Sequence, residues 1–129
     1  MGVEPTRRPI RSFRDLEVFE RSRALQAPIY KLTQAFPDIE KYDLADQMRR
    51  ACKSVPANIA EGYAKRDSVK EFKRYLRVAM ASANEMEVHL ETARDLGYIT
   101  PELAARYVQE YQVIGKQLHR LIENWKSFK

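Results

Sequence analysis

Residues 68–97 read SVKEFKRYLRVAMASANEMEVHLETARDLG, and this stretch decides the fold class of the chain. Ser68 and Glu71 match the S-x-x-E capping box that starts a helix, and Gly97 suits the position just after a helix end. Between them apolar residues recur every three or four positions, which is the period of one helical face. They are Val69, Phe72, Leu76, Ala79, Ala83, Met86, Leu90 and Ala93. The stretch therefore predicts a long amphipathic helix over residues 69–96.

Three other segments repeat this pattern and predict helices over residues 12–36, 43–65 and 101–126. The first carries Val18, Ser22, Leu25, Ile29, Leu32 and Phe36, with Ser12 as its expected N-cap. The second carries Leu44, Met48, Ala51, Val55, Ile59 and Gly62. The last carries Leu103, Tyr107, Tyr111, Ile114, Leu118, Leu121 and Trp125, after Thr100 and Pro101 as a helix start. Pro28 and Pro56 fall inside the first two helices and are expected to bend them without ending them.

Four long helices with short connections and one apolar face each pack most simply as an antiparallel up-down-up-down four-helix bundle. The sequence thus predicts an all-α fold whose bundle spans residues 12–129. Residues 1–11 are polar, rich in Arg and Pro and without periodicity. We expect them to form a flexible basic arm.

Composition limits the class of protein. The chain has 129 residues, enough for one sizeable core. Its single cysteine, Cys52, cannot form an internal disulfide, which favours a reducing compartment. No apolar run is long enough to cross a bilayer and no signal-peptide core follows Met1, so we expect a cytoplasmic protein without membrane contact. The net charge of +5 favours a polyanionic partner.

The residue types that carry catalysis or bind metals are not assembled into any recognisable motif. His89 and His119 lack a cysteine or second histidine at ligand spacing. The sequence has no Gly-rich phosphate loop and no Glu-x-x-His pair of the kind found in di-iron bundles. Cys52 lies within a predicted helix and is interpreted as a packing residue. We therefore expect no catalytic residues, no metal, no cofactor and no enzymatic activity.

Basic residues gather around the start of the third predicted helix and favour a phosphate-binding surface. The candidate nucleic-acid-binding residues are Arg49, Lys53, Lys65, Arg66, Lys70, Lys73, Arg74 and Arg77, with Arg7, Arg8, Arg11 and Arg14 in or beside the arm. Such a surface would bind RNA or DNA backbones without sequence specificity and with strong salt dependence. No stacking platform accompanies it in the sequence, so base readout is not expected. The alternative interpretation is a solvated, solubilising face.

The second half of the third predicted helix is acidic. Its acidic residues are Glu85, Glu87, Glu91 and Asp95. A basic half and an acidic half on one helix favour head-to-tail packing between subunits, which can close into a ring. The charge order therefore predicts a homo-oligomer.

A polar stripe crosses the second predicted helix. Its members, within one narrow sector of the helix, are Gln47, Arg50, Ser54, Asn58 and Glu61. This stripe is either a solvated face or a buried polar network at a subunit contact. In the second case Arg50 would pair with Glu61 through a partner chain, because the two are too far apart to touch within one helix. Pro56 leaves the Cys52 carbonyl without a donor, and we expect Ser54 or Asn58 to satisfy it.

The same region carries a family resemblance. The matching residues are Phe13, Leu16, Val18, Phe19, Tyr30, Phe36-Pro37, Gln47, Arg50-Ala51, Ser54, Pro56, Asn58-Ile59-Ala60-Glu61-Gly62, Glu71-Phe72, Ala79, Glu85, Glu87 and Leu96-Gly97-Tyr98-Ile99. In these the chain resembles the bacterial four-helix-bundle proteins encoded in intervening sequences of large-subunit ribosomal RNA genes. The resemblance covers roughly residues 13–125. Cys52 and Val55 depart from it, since Ala and Ile are expected there.

The resemblance implies a four-helix bundle that assembles as a homopentamer and has no enzymatic activity. The chain is also similar to the accessory bundle proteins of diversity-generating retroelements, which implies nucleic acid and a reverse transcriptase as partners. Two functions follow as alternatives. One is an oligomeric module that binds RNA or DNA backbones through its basic surface. The other is a protein–protein adaptor that docks on a larger enzyme such as a reverse transcriptase.

Overall fold

The computed structural model describes residues 10–126, and within them the chain is an all-α four-helix bundle. The helices are α1 (Glu17–Ala24), α2 (Gln26–Gln34), α3 (Leu44–Ala64), α4 (Val69–Asp95) and α5 (Pro101–Asn124). Short 3₁₀ turns, Phe13–Asp15 and Asp38–Glu40, precede α1 and α3. Most of the predicted arm and the last three residues of the predicted bundle lie outside the described residues.

The helices pack in sequence around one core. Helix α3 contacts α4 along its length, α4 contacts α5, and both α1 and α2 contact α3, while α1 closes the ring against α5. The largest fully buried side chains come from α2, α3, α4 and α5 and include Ile29, Met48, Phe72, Leu90 and Leu118. Each such side chain contributes roughly 1.5–3 kcal/mol of burial free energy. The predicted four-helix bundle is thus confirmed. Across residues 10–126, no helix combines the length and apolarity needed to span a membrane.

The first predicted helix differs most from expectation. Ser12 caps a 3₁₀ turn through a reciprocal capping box with Asp15, and Leu16 then adopts an extended conformation, so the α-helix begins at Glu17. The helix is interrupted at Leu25, which separates α1 from α2. Pro28 explains this break, because it cannot donate a hydrogen bond to the carbonyl four residues earlier, at Ala24. By contrast, α3 continues through the buried Pro56.

Both ends of α4 follow the predicted signals in modified form. The Ser68 hydroxyl accepts a hydrogen bond from the Glu71 backbone at 3.1 Å, but the Glu71 carboxylate binds Arg74 instead of returning to the cap. Gly97 ends the helix with φ of +78°, a conformation that glycine adopts without strain. The following Tyr98 donates a 2.7 Å hydrogen bond to Glu40, which ties the α4–α5 connection to the α2–α3 connection.

Helices α3 and α4 approach each other closely at Gly62. A Cβ atom placed there would lie 2.7 Å from the Tyr75 Cβ and 3.2 Å from both the Phe72 ring and the Phe72 carbonyl oxygen. The Tyr75 Cβ is fixed to its backbone, so it cannot rotate away. Glycine therefore sets the distance between the two helices at this level.

Replacing Gly62 with alanine should destabilise the bundle by about 1–3 kcal/mol, because overpacking outweighs the gain in helix propensity. Urea unfolding followed by circular dichroism measures this. Gly115→Ala in α5 is the matched control, since no atom lies within 4 Å of the added methyl group. The control should gain about 0.5–1 kcal/mol. Equal stabilisation of both variants would show that α3 and α4 have room to spare.

Tyr111 places a hydroxyl group in the middle of the core. The side chain is fully buried, and its hydroxyl has no hydrogen-bond partner within the described part of the chain. Burial raises the pKa of this phenol above its ordinary value, and nearby Cys52 adds to the shift. The ring contributes apolar packing, whereas the hydroxyl loses its hydration without compensation.

Tyr111→Phe should therefore stabilise the protein by about 1 kcal/mol, because it removes an unsatisfied buried polar group and keeps the ring. Tyr98→Phe is the contrasting variant, since it deletes the hydroxyl that binds Glu40 at 2.7 Å and should lower stability. Thermal unfolding of the two proteins side by side measures the difference. A loss of stability in Tyr111→Phe would mean that the buried hydroxyl is in fact satisfied.

Candidate nucleic-acid interface

Four of the predicted binding residues meet where α3 ends and α4 begins. Lys65 and Arg66 lie in the connection, while Lys70 and Arg74 occupy the first turns of α4. We call these four residues the α3–α4 corner. Arg74 donates to both carboxylate oxygens of Glu71, at 3.3 and 3.1 Å. This contact lowers the pKa of Glu71, and the charges of Lys65 and Lys70 contribute to the same shift.

Both arginines of the corner lie against tyrosine rings. The Arg66 guanidinium is 4.2 Å from the centroid of the Tyr63 ring and also donates to the Tyr63 carbonyl at 3.1 Å. The Arg74 guanidinium is 4.3 Å from the centroid of the Tyr75 ring. Each of these arginines is therefore paired with an aromatic ring, a feature that was not singled out from the sequence, and the absence of a stacking platform stays an expectation. The signal was present in the sequence as the neighbours Arg74-Tyr75 and as Tyr63 three residues before Arg66.

The remaining basic residues of α4 face a different neighbour. Lys73 lies seven residues before Met80, and Arg77 seven before Asn84, so each shares a side of the helix with a residue that lines the α4–α5 groove. This groove has a volume of about 730 Å³. Its α5 wall carries further basic groups that the sequence reasoning missed, namely Lys116, His119 and Arg120. Their spacing of three and four residues was the available signal.

Arg49 and Lys53 belong to yet another flank, beside α2. The Arg49 side chain donates to the Thr33 hydroxyl at 3.0 Å, and its guanidinium lies 5.6 Å from the Tyr30 ring centroid. The Lys53 ammonium lies 5.9 Å from the same centroid. The structure thus separates Arg49 and Lys53, on the α2 side of α3, from the predicted basic residues of the α3–α4 corner and of α4.

The polar stripe of α3 lies along the seam with α4. Ser54 shares a 2.8 Å hydrogen bond with Ser82 across the two helices. The Asn58 amide donates to the Ser54 hydroxyl and to the Ser54 carbonyl, each at 2.9 Å. Asn58 or Ser54 was expected to satisfy the Cys52 carbonyl, but none of these three hydrogen bonds reaches it. An asparagine side chain in a helix reaches back by one full turn, and the carbonyl four residues before Asn58 is that of Ser54.

The outer members of the stripe have partners on α3 or at its two caps. Gln47 donates to Asp43 at 2.9 Å, Arg50 pairs with Asp46 at 3.0 Å, and Glu61 pairs with Lys65 at 3.6 Å. Each contact joins residues four apart, the ordinary spacing for a helical pair. Pairing of Arg50 with Glu61 through a second subunit stays a prediction.

The side chains that commonly bind metals or attack substrates are dispersed. Within residues 10–126, no three His, Cys, Asp or Glu side chains are grouped as a metal site would require. Cys52 is fully buried, and burial raises the pKa of its thiol to about 11, which suits a packing residue. His89 contacts Glu85 one turn away, at 2.9 Å.

Comparison with known proteins agrees with this fold. The structure is similar to the crystal structure of a protein of unknown function of the S23 ribosomal protein family from Bacteroides thetaiotaomicron, with a TM-score of 0.75 and 28% sequence identity. The match covers 83% of this chain and 96% of that chain. No curated protein sequence matches at a significant level. The profile of the 23S rRNA-intervening sequence proteins matches residues 14–120, and the chain belongs to that family.

Proposed function

We propose that the protein is a non-enzymatic module that binds nucleic-acid backbones through the α3–α4 corner. The observation that carries this proposal is the grouping of Lys65, Arg66, Lys70 and Arg74 where α3 ends and α4 begins, with Arg74 bound to Glu71. The corner has four cations, and fewer carboxylates lie within or beside it in the sequence, namely Glu61, Asp67 and Glu71. A local positive charge therefore remains at the surface. Lys65 and Lys70 are exposed, so their charge is available to phosphates.

The charge is also segregated along the bundle axis. The ring contact between Phe72 and Trp125, whose centroids are 4.8 Å apart, places the end of α5 beside the start of α4. The basic groups of the two helices therefore lie toward the same end. The opposite end carries the acidic half of α4 and the carboxylates around the Asp38–Glu40 turn. A polyanion would be attracted to one end and repelled from the other.

The family description suggests which polyanion to test first. It refers to an intervening sequence of 23S rRNA, and the similar solved protein belongs to a family named for a ribosomal protein. Those names describe a family and a relative. They name RNA as the first ligand to test for this chain, with duplex DNA as the comparison.

Reversing two charges at the corner, Lys65→Glu with Lys70→Glu, should weaken binding by at least about tenfold and reduce the slope of log K against log[salt] by about two or more. Fluorescence anisotropy of a labelled RNA hairpin and a DNA duplex, each at low and physiological salt, measures both quantities. Lys31→Glu with Lys41→Glu is the matched control, because it makes the same change in net charge at the acidic end of the bundle. Lys31 lies in the last turn of α2, and Lys41 follows the Asp38–Glu40 turn.

The control pair should leave the affinity much closer to that of the wild-type protein. Equal losses in both double variants would attribute binding to net charge alone and remove the corner from the proposal. Absence of binding at low salt would dismiss the nucleic-acid function altogether.

A protein adaptor is the second candidate function, and one observation favours it. Ile39 and Tyr42 are 81% and 85% exposed at the acidic end of the bundle, although both are large apolar side chains. The 3₁₀ turn and the Tyr98–Glu40 hydrogen bond hold this connection in place. Exposed apolar groups on an ordered turn are typical of protein contact sites. A reverse transcriptase is the partner that the resemblance to retroelement accessory proteins would suggest, and a second copy of the chain is the partner that the charge order would suggest.

A further inference from the structure

The Arg74 side chain is held by two neighbours on its own helix. Glu71 binds the edge of the guanidinium that carries Nε and Nη2, at 3.3 and 3.1 Å. Tyr75 lies 4.3 Å from the guanidinium carbon, measured to the ring centroid. The side chain nevertheless keeps 54% of its surface exposed. Arg74 is therefore a positioned planar group at the surface, and not a freely moving charge.

This geometry suits a flat ligand better than a phosphate. Glu71 occupies the Nε–Nη2 edge of Arg74, so only the Nη1–Nη2 edge could contact a phosphate, and the carboxylate offsets part of the arginine charge. The Tyr75 ring lies against one face of the guanidinium, and the Arg74 side chain is still 54% exposed. Guanidinium planes and tyrosine rings are the surfaces on which unpaired bases stack. Lys65 and Lys70 lie close by and carry compact charges without a plane, so they suit the phosphates between those bases.

The Tyr75 ring is positioned by the contact between the helices. Its Cβ lies directly over Gly62, which fixes where the side chain leaves α4. The second stacked pair of the corner is built in a similar way, because Tyr63 is 6% exposed and contacts Phe72 edge to face at 6.2 Å. Arg66 covers that ring at 4.2 Å. Two arginine–tyrosine pairs thus lie at one basic corner; the Tyr63 ring belongs to the core, and the Cβ of Tyr75 is fixed by the contact with Gly62.

We propose that the α3–α4 corner binds unpaired nucleotides, stacking bases on the Arg74–Tyr75 pair while Lys65 and Lys70 hold the adjacent phosphates. In a duplex the bases are paired and stacked on each other, so the corner would reach the backbone alone. Single-stranded or looped RNA and DNA are therefore the preferred ligands. Stacking tolerates any base, which makes the site insensitive to sequence. This inference rests on the proposed nucleic-acid function and specifies its ligand.

Two oligonucleotides separate stacking from charge. One is a labelled twelve-residue oligothymidylate, and the other is an abasic oligomer of the same length and phosphate charge. For the full wild-type chain, anisotropy at low salt should show at least about fivefold tighter binding of the oligomer with bases, since one stacked base contributes this much or more. Arg74→Lys keeps the charge and removes the plane, so it should bring the ratio near one and leave abasic binding within about twofold.

Tyr75→Leu tests the ring in the same way, and circular dichroism verifies that each variant is folded. Arg94→Lys, in the last turn of α4, and Tyr42→Leu, at the acidic end, are the matched controls and should keep the wild-type ratio. A wild-type ratio near one with both oligomers bound would overturn the stacking inference and leave the charge-based function standing. A ratio that survives Arg74→Lys would overturn it as well. Failure to bind either oligomer at low salt would overturn both.

Discussion

At Gly62 the α3 and α4 backbones approach so closely that there is no room for a methyl group. The two helices stay close along the seam. More than two turns before Gly62, the Ser54 hydroxyl oxygen lies 2.8 Å from that of Ser82. The close approach also places the end of α3 beside the first turn of α4, so the charge of Lys65 is felt by Glu71. The basic corner is thus a consequence of how two helices pack. Its cations come from both sides of a contact that a single glycine permits.

Several of the residues that carry the family resemblance form these contacts between the helices. Ser54 and Asn58 form the polar seam, and Gly62 sets the separation of the helices. Phe36 and Tyr98 bring their rings to 5.2 Å at the other end of the bundle. Within the chain, Ser54, Asn58 and Gly62 of the stretch from Gln47 to Gly62 thus pack α3 against α4, and a role of the stretch at a subunit contact stays a prediction. The corner residues Arg74 and Tyr75 lie next to this stretch and depend on its geometry.

Helical periodicity was sufficient to predict the architecture and most of the core, although the predicted stripes omit buried residues such as Phe19, Tyr63 and Ile122. The stripe from Leu44 to Gly62 is buried throughout, because apolar residues spaced by three and four positions form one helical face, and that face packs against the core. The start of α1 was harder, because a capping box looks the same before a 3₁₀ turn as before a long helix. Ser12 and Asp15 form that box, but Leu16 turns the chain before the helix begins. The hydrogen bonds of a capping box therefore do not predict the backbone conformation of the residue that follows the box.

The basic surface was harder still, because its composition says nothing about which neighbours a helix has. Arg49 and Arg74 are equivalent in a list of charges, yet Arg49 is bound to Thr33 on α2 whereas Arg74 stands on α4 between Glu71 and Tyr75. The difference is chemical as well as spatial. A carboxylate bound to one edge of an arginine offsets the positive charge, which weakens the attraction of the arginine for phosphates. The same contact holds the guanidinium plane in one orientation, which favours stacking on its face. Charge counting and geometry thus lead to different ligands for the same residue.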